Sequence, residues 1–155
     1  MELCIYVEQF KEAIEQYQIS EEQLKFTGSP MEGNRLANED PDREAILAFK
    51  DGKLVTYFNL HKNEGVKPYS TNPNAILLRT FSTDFRYQGK GYAKQALKLL
   101  PSFVKQHFNG IDEIVLAVNL QNQNAQNLYK KCGYVDEGER RMGKKGELII
   151  MSYYL

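Results

Sequence analysis

The sequence has few of the residues on which metal sites and disulfide frameworks are built. It contains two cysteines, Cys4 and Cys132, and two histidines, His61 and His107, none at a spacing typical of metal ligands. We therefore expect no metal centre. Because the chain shows no secretion signal, the cysteines are interpreted as reduced thiols of a cytoplasmic protein.

Long apolar runs are also missing. No stretch approaches the roughly 18 apolar residues that a membrane-spanning helix needs. The first residues, MELCIYVEQFKEA, carry early acids and lack a basic segment followed by an apolar one, so we expect no signal peptide. With 42% hydrophobic and 26% charged residues, the composition is typical of a soluble globular protein without a membrane partner.

The charge is balanced over the whole chain but unevenly distributed. Residues 1–74 hold 13 acids and 8 bases, a net charge of −5, whereas residues 75–155 hold 7 acids and 12 bases, a net charge of +5. The basic half suits an anionic ligand and the acidic half a cationic one. The alternative is that these are ordinary surface charges, because folding can interleave the two halves.

Hydrophobic patterns in the first half predict strands and helices in alternation. A strand is predicted at 2–8, a helix at 9–18 and a short second helix after the capping-box sequence that begins at Ser20. Residues 27–42 are rich in Gly, Pro, Asn and Asp and are predicted to form a long loop of the kind that is often functional. Two strands should flank the hairpin signal Asp51-Gly52.

The second half continues this alternation. A strand at 75–83 precedes a helix from about Gly89, which Pro101 should kink or interrupt. The nearly continuous apolar run at 112–118 indicates a strand buried on both faces, and a helix is predicted at 123–132.

A final hairpin, turning at 143–146, completes the order β-α-α-β-β-β-α-β-α-β-β. This order predicts a mixed α/β fold, with a central sheet of about six to seven strands and helices on both faces. The length of 155 residues suits a single domain over residues 1–155 with a core of its own.

A glycine-containing turn joins the 75–83 strand to the helix that follows. Its residues are Gln88, Gly89, Lys90, Gly91, Tyr92 and Ala93. The first N–H groups of a helix lack intrahelical partners, and the helix dipole adds positive potential, so this junction suits an anion such as phosphate. It is not a Walker A loop, and a dinucleotide fingerprint would need glycine in place of Lys94. The alternative is a tight turn with no ligand.

Residues 88–93 match the pattern Q/R-x-x-G-x-G/A of the GNAT superfamily of N-acetyltransferases. The stretch NQNAQNLYKKCGY, residues 122–134, resembles the second motif of that superfamily, N-x-x-A-x-x-L-Y-x-K-x-G-F/Y. The resemblance to these enzymes is strong over residues 75–155. Before residue 75 it is limited to the order of strands and helices. The resemblance implies the GNAT fold and acetyl-CoA as co-substrate.

The resemblance also implies where acetyl-CoA binds. The N–H groups of the glycine turn would hold the pyrophosphate, and the strand before the turn would pair with the pantetheine arm. The cofactor-binding residues predicted in this way are Phe81, Ser82, Thr83, Gln88, Gly89, Lys90, Gly91, Tyr92, Ala93 and Asn122. Candidates for the 3′-phosphate are Arg86, Lys90, Lys94, Lys130 and Lys131, although each is also compatible with a solvated surface charge.

Tyr129 matches the tyrosine of the second motif, which implies a general acid that protonates the CoA sulfur. The alternative is an aromatic ring that packs on the sheet, because Ala125, Leu128 and Tyr129 share a helical face. Asn122 matches an asparagine that holds the cofactor or caps the helix, and these two roles are compatible.

The sequence shows no clear general base. Many GNAT members carry a glutamate on the strand before the turn, but AILLRTFST (75–83) contains no acid, and Asp84 lies too close to the turn. Glu32 in the predicted loop, Glu8 and Glu12 are candidates. Water relayed through Ser82 or a backbone carbonyl is the other option.

The stretches ISEEQLKFTGSPME and FRYQGKGYAKQAL resemble the polyamine/diamine branch of the superfamily, and an acidic half suits a polycation. The predicted acceptor is therefore a primary amine of a small polyamine or another small molecule. Protein, peptide and amino-acid amines are alternatives, as is a non-catalytic acetyl-CoA-binding sensor, which the missing glutamate favours and Tyr129 disfavours. We expect no nucleic-acid partner and leave a homodimer open.

Overall fold

Seven strands and five α-helices make up the computed structural model, which describes residues 1–155. In chain order they are β1 (Glu2–Ile5), α1 (Lys11–Gln16), α2 (Glu21–Leu24), α3 (Pro30–Glu39), β2 (Arg43–Lys50), β3 (Lys53–His61), β4 (Ala75–Thr83), α4 (Tyr92–His107), β5 (Glu113–Asn119), α5 (Gln123–Lys131), β6 (Val135–Gly143) and β7 (Gly146–Tyr154). The strands form one sheet in the order β1-β2-β3-β4-β5-β7-β6, in which only β4 and β5 are parallel. The predicted mixed sheet is confirmed.

Helices cover both faces of the sheet, as predicted. On one face, called here the α4/α5 face, residues such as Ile76, Leu97 and Tyr129 form the largest buried cluster. On the opposite α1/α3 face, Ile14 and Tyr57 belong to a smaller cluster. Because successive side chains of a strand point to opposite faces, β2 and β3 contribute to both clusters, while β4, β5 and β7 contribute to the first cluster and to a third one that includes Leu77 and Val115.

The prediction of a long loop at 27–42 is wrong, because α3 occupies residues 30–39. The start of α3 does carry a helix-initiation signal, but the loop-like composition of residues 27–42 led to the loop prediction. Ser29 accepts a hydrogen bond from the Glu32 N–H at 3.2 Å, and Pro30 stands in the first turn, where its missing N–H costs nothing. Gly33 lets the helix approach the sheet, since a Cβ there would lie 3.0 Å from Asn59 and from Thr80.

The predicted interruption at Pro101 is also wrong, since α4 runs without a break from Tyr92 to His107. Leu97, Leu100 and Val104 are buried beside the proline. Packing of this apolar face against the sheet therefore outweighs the loss of one backbone hydrogen bond. Even so, no helix of the protein is long and apolar enough to cross a membrane.

The first elements are shorter than predicted. β1 ends at Ile5, and α1 covers only Lys11–Gln16 after a 3₁₀ turn at Glu8–Phe10. Tyr17 has an extended backbone, with φ −63° and ψ 132°, and its buried hydroxyl shares a hydrogen bond of 2.8 Å with Ser82. This contact with β4 holds Tyr17 outside the helix, so α1 ends before the position that the apolar spacing predicted.

Asp84 connects the end of β4 to the segment after α1. Its buried carboxylate accepts hydrogen bonds from the N–H groups of Gln18, at 3.0 Å, and Arg86, at 2.9 Å. The Arg86 guanidinium donates to both carboxylate oxygens, at 3.1 and 2.8 Å. Burial by itself would raise the pKa of Asp84, but these hydrogen bonds hold it below its ordinary value. An ionised carboxylate thus fixes the start of the turn.

We expect Asp84→Asn to lower the free energy of unfolding by about 1–3 kcal/mol at pH 7, because an amide cannot replace the charge-assisted hydrogen bonds. Since the folded-state pKa is lowered, this stabilisation is complete above the unfolded-state pKa of about 3.9 and disappears as the pH falls through the folded-state value. Urea unfolding at pH 7 and pH 3 should therefore show a smaller difference at pH 3.

Asp51→Asn is the matched control, because Asp51 lies in the exposed turn between β2 and β3. It should change the free energy of unfolding by no more than about 0.5 kcal/mol. An Asp84→Asn effect as large at pH 3 as at pH 7 would show that the charge of Asp84 is not what stabilises the fold.

Candidate active site

β4 and β5 run side by side for four residue pairs and then separate. Their pairing extends from Ala75↔Glu113 to Leu78↔Leu116 and goes no further. Beyond this point β4 continues to Thr83, while β5 continues to Asn119 paired only with β7. Residues 79–83 therefore have an unpaired backbone edge facing a gap in the sheet, where an extended ligand can bind as an added strand would.

An irregularity in β4 lies at the point of separation. Pairing with β3 passes from Asn59↔Arg79 to Tyr57↔Ser82, so β4 has one more residue than β3 over this interval. Thr80, within the interval, has a positive φ of 55°. Bulges of this kind bend a strand and are frequent next to functional sites.

The turn after β4 presents free N–H groups at the same place. Gly89 and Gly91 both have φ 79°, and no atom lies within 4 Å of the position that a Cβ would take. Gly91 is the N-cap residue of α4 and provides no side-chain cap, so the first N–H groups of this 16-residue helix remain available. This is the geometry of an anion site at a helix N-terminus.

The gap and the turn open into one groove with a volume of about 800 Å³. The groove extends from α2 across the separated ends of β4 and β5 to the start of α4 and one side of α5. The predicted site residues that line it are Phe81, Ser82, Thr83, Gln88, Gly89, Gly91, Ala93, Asn122 and Tyr129. Lys90 and Tyr92, also predicted to bind the cofactor, are not in its wall.

Tyr129 belongs both to the core and to the wall of the groove. Its ring packs edge-on against Phe81, at 6.1 Å between centroids, and against Tyr134, at 5.8 Å, so the packing interpretation is correct. Burial raises the pKa of Tyr129 above its ordinary value, and Cys132 adds to the shift. The phenol therefore keeps its proton at neutral pH, which is the state required of a proton donor.

Asn122 caps α5, because its side chain accepts a hydrogen bond from the Ala125 N–H at 3.2 Å. Asn122 also lines the groove. The capping role is thus observed, and contact with a cofactor stays a prediction.

Basic residues differ in their relation to the groove. Lys94 and Lys131 line it, whereas Lys90 and Lys130 are exposed outside its wall. Arg86 is occupied by its ion pair with Asp84 at 2.8 Å. Lys94 and Lys131 are therefore the better placed of the candidates for a terminal phosphate.

None of the glutamates suggested as a general base reaches the groove. Glu32 lies on the exposed side of α3, where it pairs with Arg35. Glu8 and Glu12 lie in the 3₁₀ turn and the first turn of α1. Ser82 does line the groove, and its hydrogen bond with the Tyr17 hydroxyl holds it there.

On the α2 side of the groove, the sequence indicated only the resemblance of residues 19–32 to the polyamine/diamine branch and named no site residue. Glu22, Gln23, Phe26 and Thr27 all line this side. The capping box at Ser20 correctly predicted the helix but could not place it. Its position depends on distant contacts: the Gln23 side-chain amide donates to the Thr83 carbonyl at 2.7 Å, and the Lys145 ammonium donates to the Leu24 carbonyl at 2.7 Å.

Solved structures share this architecture. The aminoglycoside acetyltransferase AAC(6')-Ib in complex with coenzyme A superposes with a TM-score of 0.80 at 14% identity, over 98% of this chain and 93% of that one. A chimera of the spermidine N-acetyltransferase SpeG from Vibrio cholerae and hSSAT gives a TM-score of 0.71 at 20% identity, over 99% and 96%. At these identities, the likeness shows the fold alone.

Similarity in sequence shows the family as well as the fold. The model of the Acetyltransferase (GNAT) family matches residues 5–134. Over 154 residues the chain is 38% identical to a Bacillus subtilis (strain 168) protein described as "Uncharacterized N-acetyltransferase YbbJ", covering 99% of this chain and 96% of that protein. The two motifs at 88–93 and 122–134 predicted this relationship correctly, and the chain belongs to the GNAT family of acetyltransferases.

Proposed function

We propose that this acetyl-CoA-dependent N-acetyltransferase acetylates a primary amine of a small molecule, and that residues 1–155 form one catalytic domain. The supporting observation is that one groove joins the unpaired edge of β4, the uncapped start of α4 and Tyr129. Together they provide a surface for an extended arm, a site for phosphate and a proton donor.

Bound acetyl-CoA supplies an acetyl group that is activated as a thioester. The N–H groups around Gly89, Gly91 and the start of α4 hold its pyrophosphate, because they are unpaired and lie at the positive end of the helix dipole. The unpaired backbone of residues 79–83 binds the amides of its extended arm. Lys94 and Lys131, which line the groove, would hold its terminal phosphate.

Tyr129 donates its proton to the departing sulfur, since its raised pKa keeps the phenol protonated while the amine is neutral. The acceptor amine must lose a proton before it can attack. No glutamate predicted as a base reaches the groove, so an amine that arrives as an ammonium gives its first proton to water, relayed past Ser82. After the neutral amine has attacked, its nitrogen gives up a second proton, which returns through water to the Tyr129 phenolate and restores the phenol that protonated the sulfur. Since the amine must be neutral to attack, the rate should rise with pH through the pKa of the acceptor amine.

The fold does not determine the acceptor. The two solved relatives described above act, by their names, on aminoglycosides and on spermidine. A polyamine or diamine stays a prediction from the sequence resemblance, which Glu22 in the wall of the groove supports.

The Gly91→Glu variant tests the phosphate site. A carboxylate at this position would meet the pyrophosphate, so we expect the affinity for acetyl-CoA, measured by calorimetry, to fall by more than about 10-fold. Gly110→Glu is the matched control, because Gly110 also has φ 79° with no atom within 4 Å of its Cβ position and lies outside the groove. Both variants should lower Tm similarly, because both force a side chain into a left-handed conformation. Equal acetyl-CoA binding by both would refute the assignment of this turn.

The Tyr129→Phe variant tests the proton donor. It keeps the ring and removes the proton, so kcat should fall on the order of 10²-fold with little change in Tm. Tyr134→Phe is the control, because its buried hydroxyl has no hydrogen-bond partner and its loss should leave kcat and stability nearly unchanged. A lower Tm with normal turnover in Tyr129→Phe would leave only the packing role.

Thiol release from acetyl-CoA over a panel of amines tests the activity itself. We expect at least one small primary amine to be acetylated by the wild-type enzyme and far more slowly by Gly91→Glu. If a polyamine is the acceptor, its KM should rise with salt, because salt screens its attraction to the protein. Acetylation of a protein N-terminus with no small amine accepted would contradict the proposal, whereas failure of the polyamines alone would remove only that prediction.

A further inference from the structure

Two of the six arginines in the sequence lack a carboxylate partner. The four that form ion pairs are Arg35, Arg86, Arg140 and Arg141. The other two, Arg43 and Arg79, are neighbours on the α1/α3 face of the sheet. Arg43 is only 7% exposed. Water therefore solvates its charge poorly, and the lack of a carboxylate partner is costly at this position.

Arg43 is held by neutral groups. Its Nε–H donates to the Asn59 side-chain oxygen at 2.8 Å, and Nη2–H donates to the Thr80 hydroxyl at 3.1 Å. Desolvation, followed by the repulsion of Arg79, lowers the pKa of Arg43 to about 10. The two guanidinium groups thus lie together without a directly paired carboxylate, and the charges of Asp40 and Glu32 offset them only from a distance.

Arg79 is oriented by a chain of two side chains. Its Nη1–H lies 3.4 Å from His61 Nδ1, and His61 Nε2 lies 3.0 Å from an Asp40 carboxylate oxygen. Burial, and next the charge of Arg79, lower the pKa of His61 and favour the neutral ring that can accept from Arg79. Asp40 thus orients Arg79 through His61 without forming an ion pair with it.

Arg79 also lies at the gap between β4 and β5. It is the first residue of β4 beyond the last β4–β5 pair, and it is one of the residues that line the groove. Its side chain contacts groups of the α1/α3 face, while Tyr129 packs on the other side of the gap. An amine in the gap would therefore have Arg79 beside it on the side away from Tyr129.

We propose that Arg79, oriented by His61 and reinforced by Arg43, binds a carboxylate of the acceptor. The acceptor is then an amino-carboxylate, a small molecule with both a primary amine and a carboxylate, because a guanidinium fork matches a carboxylate in geometry and charge. This inference rests on the proposed acetyl transfer and specifies its substrate class. It departs from the polyamine prediction, because Arg79 is a cation at the gap without a carboxylate partner, whereas the one acid in the groove wall, Glu22, already pairs with Lys25 at 2.9 Å.

Pairs of acceptors that differ only in the carboxylate test this inference. L-lysine and 1,5-diaminopentane form one pair, and L-phenylalanine and 2-phenylethylamine form another. For whichever of the two carboxylated compounds is the better substrate, we expect kcat/KM to exceed that of its partner by roughly 10- to 100-fold, the scale of a charge-assisted hydrogen bond. Most of the difference should lie in KM, since the carboxylate is bound before and during the reaction.

The Arg79→Gln variant should bring this ratio close to one, and Arg79→Lys should restore part of it. Arg140→Gln is the control, because Arg140 is exposed and pairs with Asp136 away from the groove. It should leave the ratio at the wild-type value. A wild-type ratio near one in every pair, or a high ratio that persists in Arg79→Gln, would overturn the carboxylate site. The proposed function would still stand in either case, because the amines would have been acetylated.

If no compound of either pair is acetylated, that result counts against the proposed function alone. Calorimetry then tests the carboxylate site. The carboxylated member should then bind the CoA-loaded wild-type protein more tightly than its partner and lose this advantage in Arg79→Gln. Equal affinities of both members for the wild type would overturn the carboxylate site.

Discussion

The separation of β4 from β5 after the Leu78↔Leu116 pair is the constraint on which the rest of the site depends. Backbone N–H and C=O groups inside a protein require partners, so a gap within a sheet must be held open by other contacts or completed by a ligand. Here the bulge at Thr80 bends β4 to one side, and β7 holds β5 on the other as far as Asn119. An extended chain of amides, such as the pantetheine arm of CoA, is suited to complete the missing pairing.

The end of β4 keeps its position through the segment that follows α1. Tyr17 binds Ser82, Gln23 binds the Thr83 carbonyl, and the Gln18 N–H binds Asp84. Three consecutive residues of β4 and its turn are thus each bound by residues 17–23. This segment gives the separated strand the support that β5 no longer provides, and it also places α2 along the groove.

Folding redistributes the charges in a way that the division of the sequence into halves did not show. Several acids of the first half form ion pairs on the surface, among them Glu32 with Arg35 and Glu64 with Lys67. Such exposed pairs contribute little energy and leave little net potential. Near the gap, the arginines without a paired carboxylate are Arg43 and Arg79, which come from opposite halves of the chain.

The sequence by itself determined the strands, the two motifs and, through them, the family. These signals are local: alternating apolar residues, a Gly-x-Gly turn and a helix cap each depend on neighbours within a few positions. It also placed Tyr129, Asn122 and most of the glycine turn in one groove, because both motifs follow strands that are adjacent and parallel. Only the tertiary structure decided that residues 30–39 form a helix over Asn59, that α4 continues through Pro101, and that Arg79 lies beside Arg43 without a carboxylate. These outcomes depend on contacts between residues far apart in the chain, and the local cap at Ser29 and Pro30 was too weak a signal by itself to decide the first of them.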